Sequence, residues 1–126
     1  MNYRKILLVD DDADDQEIFL TALSQVTSDI TCTAISSAVD ALHKLTNKQI
    51  SADVIFLDLN MPIMSGQQFL AEINKNPELK NIPVIIFSTS AHPPTIQLTK
   101  ELGAKDFITK PDKYDDLIYI LKTILI

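Results

Sequence analysis

V-I-F-L-D-L-N-M-P, from Val54 to Pro62, decides the fold. Its first four residues are apolar without a polar break, the pattern of a strand covered on both faces, as parallel strands are. Working outward, the same kind of block recurs at Ile6–Val9 and Val84–Phe87, with a shorter one at Phe107–Ile108. A weaker strand spans Ile30–Ile35, where Ile30, Cys32 and Ala34 alternate with Thr31 and Thr33.

Between these blocks the apolar period becomes that of helices. Ile18, Phe19, Ala22, Leu23 and Val26 stripe the first helix; Ala38, Ala41, Leu42 and Leu45 the second; Gly66, Phe69, Leu70 and Ile73 the third. The fourth is short, from about Pro94 to Leu102, and Gly103 closes it. Tyr114, Leu117, Ile118, Leu121, Ile124 and Leu125 stripe the fifth. Pro62, Pro77, Pro83, Pro93, Pro94 and Pro111 all fall at the edges of these elements. A strand followed by a helix, five times over, predicts an α/β fold with a parallel sheet, right-handed crossovers and helices on both faces.

A chain of 126 residues fits one domain, and 46% hydrophobic against 22% charged residues is globular composition. The net charge of −6 argues against nucleic acid or an anionic membrane as the main partner. The single Cys32 excludes an internal disulfide and a cysteine-based zinc cluster. The longest apolar run, Leu117 to Leu121, is far below the ~20 residues of a membrane span, and Ile6–Val9 is too short for a signal peptide. A cytoplasmic location is expected.

Such a fold binds ligands beyond the carboxyl ends of its strands. There the first strand carries Asp10, Asp11 and Asp12, with Asp14 and Asp15 just beyond; the third carries Asp58, the fourth Ser88 and Thr89, and the fifth Thr109, Lys110 and Pro111. Asp10, Asp11 and Asp58 on one rim, with no Arg nearby, are costly unless a cation is bound, and a few hard oxygen ligands suit Mg²⁺. Lys110 offers an anion a point charge and Ser88 a hydroxyl, so the set is suited to phosphoryl transfer. An Asp after a strand commonly serves instead as a helix N-cap, and Asp12, Asp14 or Asp15 is expected to do so here.

In these residues the chain resembles a receiver domain of two-component response regulators, of the chemotaxis-regulator type. The resemblance rests on I-L-L-V-D-D (Ile6–Asp11), V-I-F-L-D-L-N-M-P with Gly66 downstream, P-V-I-I-F-S-T-S-A (Pro83–Ala91) and G-A-K-D-F-I-T-K-P (Gly103–Pro111), in family order across nearly the whole chain. It implies a flavodoxin-like doubly wound sheet of strand order 2-1-3-4-5 flanked by five helices. It also implies that Asp58 is the phosphoacceptor for a sensor histidine kinase or phosphotransfer protein. Asp11 and Asp58 would bind Mg²⁺ with the backbone carbonyl of Asn60, and Asp10 would bind it through water. Lys110 would pair with Asp58 and then with the phosphoryl oxygens. Ser88 and Phe107 would form the switch, and the Lys110–Pro111 bond would be cis.

Three departures from the family pattern bear on regulation. Asn60 and Ser90 stand where the family tunes acyl-phosphate lifetime, Pro93-Pro94 opens the fourth helix, and Asp112 follows Pro111 where Phe is common. The tail T-K-P-D resembles that of single-domain receivers associated with bacterial phytochromes. The fifth helix runs to the chain end, so residues 1–126 are expected to be a single receiver without an output domain. It would be a phosphoacceptor rather than an enzyme, acting as a monomer or a phosphorylation-dependent dimer. Its output would pass through protein contacts of the face formed by helix four, strand five and helix five, near Gln97, Lys100, Lys105, Phe107 and Tyr114.

Two other functions compete. Asp10-x-Asp12 after a strand also resembles the haloacid-dehalogenase phosphatases, with Asp10 as nucleophile, but Ser88-Thr89-Ser90 lacks the acidic pair those enzymes need. A receiver that no longer switches would be a constitutive interaction module. Five Asp within residues 10–15 speak against a flavin phosphate there. His43 and His92 have no ligand set around them, Cys32 reads as a small buried hydrophobe, and Met61 and Met64 read as turn and core.

Overall fold

Two of the interior strands, β1 (Lys5–Val9) and β3 (Val54–Leu57), lie side by side and parallel, in the register Ile6↔Val54 to Val9↔Leu57. The computed structural model describes residues 3–126. Its single sheet has the order β2-β1-β3-β4-β5, with β2 at Thr31–Ile35, β4 at Val84–Ser88 and β5 at Asp106–Thr109, and every pairing is parallel. Helices alternate with them: α1 (Ala13–Val26), α2 (Ala38–Thr46), α3 (Gly66–Lys75), α4 (Pro93–Glu101) and α5 (Tyr114–Leu125).

The unbroken apolar blocks follow from burial on both faces. Leu7, Val9, Ile55, Leu57 and Ile86 point to one side, against Ala38, Ala41 and Leu45 of α2 and Phe69, Leu70 and Ile73 of α3. Their neighbours Ile6, Leu8, Phe56, Ile85 and Phe87 point to the other, against Phe19, Ala22 and Leu23 of α1 and Leu117, Leu121 and Leu125 of α5. On this second side Phe19, Phe56 and Phe87 meet edge to face, with ring centroids 5.1–6.3 Å apart. Phe56 lies two residues before Asp58 and Phe87 one before Ser88, so the packed rings brace two of the strand ends that carry polar groups.

Several boundaries and faces differ from the sequence reading. The fourth helix starts one residue earlier, because Pro93 and Pro94 occupy its first turn, where a missing N–H costs nothing. Gly103 then closes it at φ +106°, a backbone angle that side chains rarely adopt. Ile18 does not join the buried stripe of α1 and is 47% exposed, since Phe19, Ala22 and Leu23 already fill that face. Cys32 is only half-buried, because β2 is an edge strand, yet burial still pushes its thiol up to about 12. No peptide bond among the described residues is cis, so the cis Lys110–Pro111 bond expected from the resemblance is not found.

Candidate functional site

Register alone gathers the site. Val9 and Leu57 are partners, so the next residues, Asp10 and Asp58, leave neighbouring strands side by side at the switch point of the sheet. The Asp58 amide donates to the Val9 carbonyl at 2.9 Å and the Asp10 amide to the Ile35 carbonyl at 3.1 Å, which fixes both backbones. Across the rim Ser88 pairs with Thr109, and the Lys110 amide donates to the Ser88 carbonyl at 2.8 Å, bringing Lys110 over the same crevice.

Carboxylate oxygens of Asp10, Asp11 and Asp58 lie within 4.8 Å of one another. Asp10 and Asp58 are buried, while Asp11 is exposed and opens the cluster to solvent. Burial pushes the Asp10 carboxyl above its ordinary range, and bonds from Lys110 and the Asp12 amide offset only part of that. Burial raises Asp58 likewise, against the pull of the Lys110 charge. Desolvation alone would lower Lys110, but its bonds to Asp10 and Asp15 outweigh it and hold the ammonium above its usual value. Two buried acids that resist ionisation beside an exposed third are a donor set that a hard divalent cation would relieve.

Lys110 has more partners than the Asp58 of the sequence reading. Its Nζ donates to Asp10 Oδ2 at 2.8 Å and to Asp15 Oδ2 at 2.7 Å, and stands 4.0 Å from Asp58 Oδ1. The direct partners are thus Asp10 and Asp15, with Asp58 beyond hydrogen-bond reach. The ammonium also lies 5.8 Å from the Phe87 ring centroid. Ser88 is fully buried, and its Oγ accepts from the Ser90 amide at 3.5 Å, a long bond. Phe107 is half-buried against the α2–α3 side of the sheet, beside Ile86. Asn60 is exposed just past the end of β3.

Asp12 caps α1, its Oδ1 accepting from the Asp15 amide at 3.0 Å. Two contributors had no signal in any motif. Gln16 donates from Nε2 to the Asp10 carbonyl and, at 3.1 Å, to Ser36 Oγ, pinning the first helix to the end of β1. Asp15 reaches Lys110. The cue for it was positional: with Asp12 as N-cap, Asp15 is the third helical residue, and helical side chains lean back towards the N-terminus, here towards Asp10.

A doubly wound α/β domain with three carboxylates and a lysine at its switch point is built to hold a phosphoryl group and a hard cation together. A family profile for the response regulator receiver domain matches residues 6–122, and the chain belongs to that family. It is 36% identical over 124 residues to the two-component response regulator ORR8 of Oryza sativa subsp. indica, covering 98% of this chain and 100% of that one. The phosphorylated cyanobacterial phytochrome response regulator RcpA superposes with a TM-score of 0.88 at 32% identity, over 97% of this chain and 91% of that one. The Mn²⁺-bound form of response regulator Rcp1 gives 0.86 at 30% identity, over 96% and 91%.

The chain is therefore a two-component receiver domain with the expected strand order. The phosphatase reading finds no support, and the carboxylate it would use as general acid, Asp12, is engaged in capping α1. Nothing favours a module that has lost its switch. Among the described residues no helix is long and apolar enough to cross a membrane.

Proposed function

We propose that this receiver is a phosphorylation-dependent signalling switch in which Asp58 accepts a phosphoryl group from the phosphohistidine of a sensor kinase or phosphotransfer protein. The observation that carries the reading is the approach of Asp10, Asp11 and Asp58 to within 4.8 Å of one another under the Lys110 ammonium. An Asp58 oxygen attacks phosphorus, the P–N bond breaks, its electron pair returns to the histidine ring, and an acyl phosphate remains. The Asp11 and Asp58 carboxylates and the Asn60 backbone carbonyl would hold Mg²⁺, with Asp10 acting through water, and the ion would supply neutralising charge there.

Lys110, with its Nζ 4.0 Å from Asp58 Oδ1, stands close enough to pair with the oxygens of a phosphoryl group carried there. Ser88 Oγ, held only by one long bond, is free to turn and donate to the phosphoryl group. The space it leaves lets Phe107 turn inward beside Ile86, which alters the face made by α4, β5 and α5. Between α4 and β5 that face holds a cleft of about 250 Å³ lined by Ile96, Thr99, Lys100, Ala104 and Phe107, open to a downstream protein or a second copy of the chain. No nucleic acid is involved.

The domain turns over no substrate of its own and acts in the cytoplasm. ORR8, a two-component response regulator, is matched over its whole length by this receiver. RcpA is a phytochrome response regulator, and the T-K-P-D tail points the same way, so a phytochrome-type histidine kinase is the first donor to try. Intact mass after incubation with acetyl phosphate and Mg²⁺ tests the core of the reading. One phosphoryl group should be gained, only with Mg²⁺, and lost in Asp58→Asn; an adduct that survives Asp58→Asn but fails in Asp10→Asn would sink it.

A further inference from the structure

We infer that Asp15 is a positioning residue that holds Lys110 in a resting place between itself and Asp10, so that a phosphoryl group on Asp58 has to compete with Asp15 for the ammonium. The inference rests on the phosphoacceptor reading of Asp58. Lys110 is 10% exposed, and a buried ammonium needs partners for its three protons. It has two at bonding distance, Asp10 at 2.8 Å and Asp15 at 2.7 Å, while Asp58 waits at 4.0 Å.

The two partners are not equivalent. Asp10 is sealed in the rim and shares its position with Asp11 and Asp58, so a cation in that cluster competes with Lys110 for its charge. Asp15 stands outside the cluster at 34% exposure. A cation held among Asp10, Asp11 and Asp58 therefore does not compete with Lys110 for it. Its backbone is fixed by the bond from its own amide to Asp12 Oδ1, so the carboxylate cannot follow the lysine far. Lys110, on a flexible four-carbon stem, is the part that moves. A phosphoryl group that draws the ammonium towards Asp58 weakens its charge-assisted bond to Asp15, and Asp15 thereby sets the threshold for switching.

The test is a calorimetric titration with beryllofluoride, a phosphoryl mimic, at saturating Mg²⁺. Loss of one charge-assisted bond in the resting state should make Asp15→Asn bind about fivefold more tightly. Asp15→Glu, which restores the charge, should return towards wild type. In a Lys110→Met background the Asp15→Asn gain should vanish, because the residue acts through the lysine. If Lys110→Met binds too weakly to titrate, Asp14→Asn decides, since it removes the same charge from a side chain that does not touch the ammonium. An equal gain there, an equal gain in Lys110→Met, no gain at all, or weaker binding by Asp15→Asn overturns the inference. Wild-type protein that takes no beryllofluoride, or takes it equally well as Asp58→Asn, overturns instead the reading of Asp58.

Discussion

Among the described residues Ile63 carries the plainest backbone conflict. It has φ 69°, and the Met64 amide donates to the Pro62 carbonyl at 2.8 Å, so Pro62–Met64 is a γ-turn of the left-handed kind. A β-branched residue is a poor choice for that angle, and Ile63 is 95% exposed, so no burial repays it. Two constraints force the turn. Asp58 must directly follow β3, and Gly66 must open α3 so close by that a Cβ on it would strike the Asp58 carbonyl oxygen and lie 2.7 Å from Leu59 Cα. The chain has only seven residues, from Leu59 to Ser65, in which to reverse. Ile63→Asn, which tolerates positive φ, should therefore stabilise the fold by about 1 kcal/mol and raise Tm by roughly 3–5 °C. Thermal unfolding followed by circular dichroism checks this, and an unchanged or lower Tm would show that Ile63 makes a contact worth more than its strain.

Among the elements, α4 is the least anchored. Thr99 is its only buried residue, whereas α3 buries Gly66, Phe69, Leu70 and Ile73. Its N-cap, His92, makes no side-chain capping bond, while Ser65 gives α3 a full capping box. Native-state hydrogen exchange should find α4 amides opening at a small fraction of the global free energy, and those of α3 near the top of the scale. Equal protection in the two helices would remove the argument that α4 is the element free to respond. The same contrast explains what the sequence could tell. Val54–Leu57 and Val84–Phe87 were legible because burial on both faces leaves no polar residue in them, and α3 because Gly66, Phe69, Leu70 and Ile73 repeat at helical spacing. The edge strand β5, Asp-Phe-Ile-Thr, showed only its two central residues, since both ends face solvent. Asp10, Asp58, Ser88 and Lys110 could be placed at strand ends from the pattern of elements. The Lys110–Asp15 bond could not, because it depends on which way the first turn of α1 presents its side chains.

Over the whole molecule the acidic rim opposes folding. The chain carries a net charge of −6, and folding concentrates Asp10, Asp11 and Asp58 within 4.8 Å, with one lysine to offset them. A ligand that binds only the folded rim recovers that repulsion as stability, by RT ln(1 + [L]/Kd). For a Kd on the order of 1 mM, about 10 mM Mg²⁺ should add about 1.4 kcal/mol. In a domain of this size the gain corresponds to a rise in Tm of roughly 4–7 °C. Sodium chloride at matched ionic strength only screens the rim and should give much less. Asp11→Asn keeps the buried pair but removes the exposed ligand, so it should be more stable than wild type without Mg²⁺ and lose most of the Mg²⁺ increment. Thermal scans of both proteins in Mg²⁺ and in matched sodium chloride separate the two effects. Equal Tm values for wild type in the two salts would mean that the folded rim prefers no divalent cation, and the assignment of Mg²⁺ to Asp11 and Asp58 would go with it.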